Sequence, residues 1–461
     1  MDPVESFLDL YESINFQDLP DQVVSAAQRV ITDFVGVAIG GTNAPVSRRV
    51  AAAVARWGCK GPCTLFGTGD RVLPHAAVFV NSTAGRALDY DDVHEQAHLH
   101  ATVSVVPVAL ALSETTRVSG PDLLLATVLG FELIARMGLA LDEGPGKTGM
   151  STTYQAASIG AALAGARLLQ LDRETTRNAL GIAYSLLAGN QQSIREGADT
   201  MVVQQGLSAM GGVMALDLAT LGITGPREIF TGRYGYFPVF HSGRHNLSRF
   251  VDGLGESWAI SSTSIKPYPC CKLIHPALQA LLELRAGNGI SPECVTKIRA
   301  GINREDYDMI CEPLDIKRRP RTVVDAIYSL PYVLSVGLVR GRVCLSDFRP
   351  ESLTDPDVVG VTERVEPVRD ESLPRFTDSG FPSWVELSTQ DGRTLRQYAE
   401  SVPGSPGRPM SDVDTDRKFR DCLSYAGADP GLADRLLSIL SDLTRVPDAS
   451  VLPKSMGHLS S

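Results

Sequence analysis

The residues best suited to chemistry sit in one short stretch, DYDDVHEQAHLH, from Asp89 to His100. A histidine flanked by carboxylates can be held in one tautomer and poised to give or take a proton near neutral pH. Asp89, Asp91 and Asp92 would supply the orienting partner, and three acids this close would repel an anionic substrate unless a cation or histidine pairs with one of them. The same letters contain HEQAH. Read as HExxH, it would place His94 and His98 on one helix face for zinc, with Glu95 as the base of a metal-assisted hydrolase. The third ligand of an HExxHxxGxxH pattern is missing, however, because Ser104 stands there, and a solvated, acid-rich loop is the plainer expectation.

Two further stretches carry usable groups. In IKPYPCCKLIH, Pro267 and Pro269 impose an extended backbone that presents Lys266, a carboxylate binder or acid, and the Cys270–Cys271 pair. Adjacent cysteines rarely bridge and more often pack, and His275 opens the next helix. In AGNQQSIREGADTM, a polar interruption between helical runs, Arg195 offers bidentate recognition of a carboxylate or a salt bridge to Glu196. The glycine-rich pieces lack the strand–GxGxxG–helix setting, which argues against a nucleotide cofactor.

These groups must be positioned by a chain of 461 residues, long enough for two domains. With 43% hydrophobic and 21% charged residues it reads as a globular protein. The net charge of −10 leaves no basic stripe for nucleic acid. No apolar run is expected to reach the length of a membrane span, the acidic N-terminus does not read as a signal peptide, and the eight cysteines lack zinc-ribbon spacing. The expectation is a cytoplasmic protein with reduced thiols.

Helical periodicity marks Pro20–Gly41 and then Pro45–Trp57, Leu73–Leu88, Ser104–Thr115, Pro121–Ala140, Thr153–Leu169, Arg173–Leu187 and Gln205–Leu221. The run AASIGAALAGA (156–166) is small enough for close approach of neighbouring helices. Beyond Ser264, VTKIRAGI (295–302) alternates like a strand, and WVELSTQDGRTL (384–395) looks like two strands joined at Asp391–Gly392. Val323–Val339 reads as a helix, 349–383 as long loops, and helical patterns return after Met410. The fold class is mostly α: a mostly helical main domain (1–262), a smaller α+β domain (263–398) and C-terminal helices (399–461).

Taken together, RALDYDDVHEQAHLHATVSVVPVALAL, KPYPCCKLIH, FVGVAIGG, GITGPREIFTGRYGYF, VVDAIYSLPYVLSVGL and GSPGRPMSDVDTDRKF resemble the MmgE/PrpD family. That family includes 2-methylcitrate dehydratases, cis-aconitate decarboxylases and iminodisuccinate epimerases. The resemblance implies a homodimer, an all-helical main domain with an α+β lid, and catalysis in a cleft without metal or organic cofactor. It carries catalytic roles onto Asp89, His100 and Lys266, with one residue inserted before His100 and HAT in place of HPS. Ser151 falls where many members have a histidine, Met201 where they have a lysine, and Val93 where they have a threonine.

Asp92, Ser151, Tyr154, Arg195, Cys271 and His275 are the remaining substrate-binding candidates. Tyr154 would substitute as a proton donor, and Arg195 would replace the missing cation. The function so implied is a cofactor-independent lyase, dehydratase or decarboxylase, acting by proton transfer next to a carboxylate of a small or mid-sized organic acid. The losses at 151 and 201 point away from a tricarboxylate substrate. The alternatives are an isomerase or epimerase of the same chemistry, a zinc hydrolase using HEQAH, and a non-catalytic dimeric binding protein.

Overall fold

The computed structural model describes residues 2–141, 149–377 and 379–459. The chain divides into two compact units. The first comprises Met1–Gln191, Val202–Ile265 and Asp412–Ser461, and the second Gln192–Met201 and Lys266–Ser411. The short excursion Gln192–Met201, on the first-domain side of the sequence-based boundary, thus belongs with the second unit.

The first unit is a pile of helices around the helix Asp21–Gly41, which packs on the helices Pro74–Arg86 and Asp412–Ala426. Asp21–Gly41 is long and apolar enough to cross a membrane, which corrects the expectation that no run reaches that length. Most of it is buried inside the unit, as a core helix should be. Gly41 is required at its end, because a Cβ there would lie 1.9 Å from the Ala84 carbonyl oxygen. The small-residue run lies in the helix Thr152–Leu168, which packs on the helix Gly120–Leu139. A Cβ on Gly160 would sit 2.7 Å from the Gly130 carbonyl oxygen, so the two backbones meet where neither has a side chain.

The second unit is built on a four-stranded sheet in the order Val365–Arg369, Val295–Ile302, Ser383–Thr389, Thr394–Ala399. Its first pair is parallel and the other two are antiparallel. Gly392, with φ +83°, makes the expected hairpin turn. The region 349–383, read as loops, holds the helix Pro356–Thr362 and the edge strand Val365–Arg369. Pro367 disguised that strand, and an edge position is where a strand tolerates proline. The single helix expected over Val323–Val339 is two, Val323–Ile327 and Leu330–Arg340. Ser329 caps the second by accepting a hydrogen bond from Tyr332 N, and Pro331 suits its first turn.

Candidate active site

The chemistry-bearing loop begins where the helix Pro74–Arg86 ends. Asp89 takes a left-handed backbone (φ 47°), rare outside glycine, and so turns the chain sharply. The next residues are pinned by reciprocal backbone hydrogen bonds between Val93 and Ser264 (3.0 and 2.9 Å). His94 and Leu99 close a tight turn, with His94 N donating to Leu99 O at 2.9 Å, and His98 also has positive φ.

This geometry corrects two expectations. HEQAH is a turn rather than a helix, so His94 and His98 do not share a helix face. The loop is also not solvated: Asp89, Asp91, Asp92, His94 and Glu95 are all buried. The His94 Nδ1 accepts from Ala97 N at 3.2 Å, and Glu95 accepts from the Ser264 hydroxyl. Among the described residues, no group of three or more His, Cys, Asp or Glu is placed to hold a metal ion.

Burial lowers the His94 pKa from 6.5 to about 4. The folded ring is therefore neutral, and the unfolded chain binds the proton first as pH falls from about 6.5 to about 4. The stability is complete above that window and is lost through it, by about 3 kcal/mol for a shift of this size. Urea unfolding at pH 7 and pH 4.5 should show a smaller acid loss in His94→Gln than in the wild type; an equal loss would assign the effect elsewhere.

Four buried carboxylates and two buried cations share this part of the first unit. Arg86 Nη1 donates to Asp89 and, at 2.9 Å, to Asp91 Oδ1. Lys418 pairs with Asp33 at 2.6 Å and donates to the Tyr90 carbonyl at 2.9 Å. Burial, with Asp91 alongside, pushes the Asp92 carboxyl well above the usual range, and its Oδ2 accepts from Thr102 Oγ1 at 2.8 Å.

His100 stands beside these buried acids. Its Nδ1 lies 2.9 Å from Asp91 Oδ2 and 2.7 Å from the Asp92 carbonyl oxygen. Of the three aspartates that the sequence offered as orienting partners, the carboxylate beside His100 is therefore that of Asp91, which Arg86 holds together with Asp89. Arg86, missed by sequence reading, could have been found from its i, i+3 spacing to Asp89 at the end of a helix. The His100 side chain is 14% exposed, whereas those of Arg86, Asp89 and Asp91 are 3% or less, so the imidazole is the outward member of the group.

The helix Thr152–Leu168 brings two more candidates to the same place. His100 N donates to Thr153 Oγ1 at 3.3 Å. Tyr154 is buried and hydrogen-bonded to Arg86; burial raises its phenol to about 12, which keeps it a neutral donor. Ser151 is the residue before the helix, half-buried, with no capping hydrogen bond from its side chain.

Lys266, Cys271, His275 and Arg195 belong to the second unit. Lys266 is buried at 1% exposure. Cys271 lies in an apolar core that also contains Met201 and Cys270. His275 is fully buried, its Nε2 3.1 Å from the Cys270 carbonyl and its ring edge-on to Tyr268. Arg195 is exposed on the short helix Gln192–Glu196. Lys317, another group that sequence reading missed, is buried, donates to the Tyr328 carbonyl at 2.7 Å, and is held down to about 8 by that burial. The only sequence signal for it was the basic run IKRRPR.

The loop thus buries Asp89, Asp91 and Asp92 beside His100. Residues 5–247 match the MmgE/PrpD N-terminal domain and residues 268–438 the MmgE/PrpD C-terminal domain. A cis-aconitate decarboxylase of Aspergillus terreus is 26% identical over 458 residues, which cover 94% of this chain and 92% of that one. The cis-aconitate decarboxylases of Mus musculus and Homo sapiens are each 25% identical, over 98% and 97% of this chain. With both domains matched over most of its length, the chain belongs to the MmgE/PrpD family.

Proposed function

We propose that this lyase removes carbon dioxide from an unsaturated polycarboxylate by proton transfer at a carbon beside a carboxylate, with His100 as the acid–base group. The observation that carries the reading is the Asp91–His100 pair, buried at the Asp91 end and outward at the imidazole. The similarity to cis-aconitate decarboxylases favours decarboxylation over dehydration. In such a step the bond from the carbon skeleton to one carboxylate breaks and carbon dioxide leaves. The bonding pair shifts the double bond, and the carbon at its far end takes the proton from the His100 imidazolium. Asp91 stabilises the imidazolium that precedes this transfer. Lys266 serves to bind a carboxylate, and Arg195 supplies a cation that Met201 cannot.

The reaction needs no metal or organic cofactor in this reading. Protein dialysed against EDTA should release carbon dioxide and an unsaturated dicarboxylate from cis-aconitate at the undialysed rate. A rate lost on dialysis and restored by a metal would remove cofactor independence. Absence of product from cis-aconitate and from β-hydroxy tricarboxylates alike would remove the lyase mechanism.

We further propose a cytoplasmic homodimer. The support for a second copy is an apolar stripe on the helix Thr200–Thr220: Leu207, Met214 and Leu218 are 45%, 39% and 39% exposed, and Leu221 just beyond its end is 83% exposed. Light scattering should find a dimer that Leu218→Glu dissociates; a monomeric wild type would end this proposal.

A further inference from the structure

The first turn of the helix Thr152–Leu168 ends in donors that the fold leaves unused. Tyr154 N and Gln155 N both donate to the Ser151 carbonyl, at 3.2 and 3.1 Å. Among the described residues, nothing accepts from the N–H groups of Thr152 and Thr153. Orphan N–H groups at a helix start carry partial positive charge and suit an anion.

A second observation points to the same place. Gln155 is fully buried, its Oε1 faces the Tyr236 hydroxyl at 3.5 Å, and its Nε2 has no partner. An unpaired buried amide costs about 1–3 kcal/mol, so one retained in a packed interior calls for an explanation. Gln155 follows Ser151 by four residues, on the same face of the helix. Helical side chains lean toward the N-terminus, which aims this amide at the first turn. His100 is tied to that turn through Thr153 Oγ1.

We infer that this turn is an anion subsite that holds one carboxylate of a small polycarboxylate through neutral donors: the Thr152 and Thr153 N–H groups, the Ser151 hydroxyl and the Gln155 amide. It rests on the acid–base reading of His100 only for the identity of the anion as substrate. A carboxylate seated there lies beside the histidine that moves the proton, and needs no lysine to hold it.

The test uses the full chain and malonate as the probe, with affinity measured by calorimetry at pH 7. Thr152→Pro deletes one N–H at a position where proline fits a helix, and Thr152→Val deletes only the hydroxyl. Gln155→Met removes the amide at similar length. Thr152→Pro and Gln155→Met should each weaken malonate binding by about tenfold, and Thr152→Val by less than about twofold. Circular dichroism checks the fold, and Gln155→Met decides the matter should the proline variant not fold.

The subsite is overturned if wild type does not bind malonate, or if Thr152→Pro and Gln155→Met bind it as wild type does. Binding that is weakened as expected in a protein inactive on cis-aconitate keeps the subsite and removes the lyase mechanism. Turnover with KM unchanged in both variants does the reverse.

Discussion

Replacing His100 with Asn lowers kcat by about 10²–10⁴-fold, the usual contribution of a positioned acid–base group, and leaves the fold intact. Asn can still bond to Asp91 and to the Asp92 carbonyl, which hold the native Nδ1 at 2.9 and 2.7 Å, but it has no titrating nitrogen to present outward. KM should change little, because the lost interaction belongs to the transition state. Asp91→Asn offers an internal check. It removes the charge that favours the imidazolium while preserving shape, so it should lower kcat by less than His100→Asn and move the alkaline limb of the pH–rate profile, where the imidazolium is lost, to lower pH. Steady-state kinetics between pH 5 and 9 would measure both. A His100→Asn enzyme with wild-type kcat would require a different proton carrier, and Tyr154, the neutral phenol on Arg86, would be the next to test.

The largest effect on stability is expected at Arg86. Its guanidinium serves Asp89, Asp91 and Tyr154 together, and all four side chains are buried. Arg86→Met strands two carboxylates without their counter-ion, a loss of about 3–5 kcal/mol. Arg86→Lys should recover only part of this, since an ammonium is a point charge and cannot reproduce the planar fork across several acceptors. Urea unfolding of the three proteins would show the order wild type, Lys, Met. If Arg86→Met were as stable as wild type, the counter-ion role assigned to Arg86 would fail.

Much of the architecture was legible because it depends on local patterns. Val23, Val30, Ile31 and Phe34 recur at helical spacing and are buried in Asp21–Gly41. The alternation in VTKIRAGI became the strand Val295–Ile302. Errors fell where tertiary context overrides a local signal. Pro367 reads as a loop but sits in an edge strand, and the apolar run 323–339 hides a helix break at Ser329. HEQAH carries helical spacing of its histidines, yet a left-handed Asp89 and the Val93–Ser264 pairing fold it into a turn.

The sequence by itself determined which groups are present and near one another along the chain: three aspartates, their histidine and an arginine within fifteen residues. Only the tertiary structure decided how they are matched. Pairing depends on burial and on approach to within about 3 Å, and both are set by segments far away in sequence, such as Ser264, Thr153 and Lys418. Tertiary packing therefore set Asp91 between Arg86 and His100, gave Asp89 to Arg86, raised the Asp92 carboxyl by burial, and made the imidazole the more exposed member of the group.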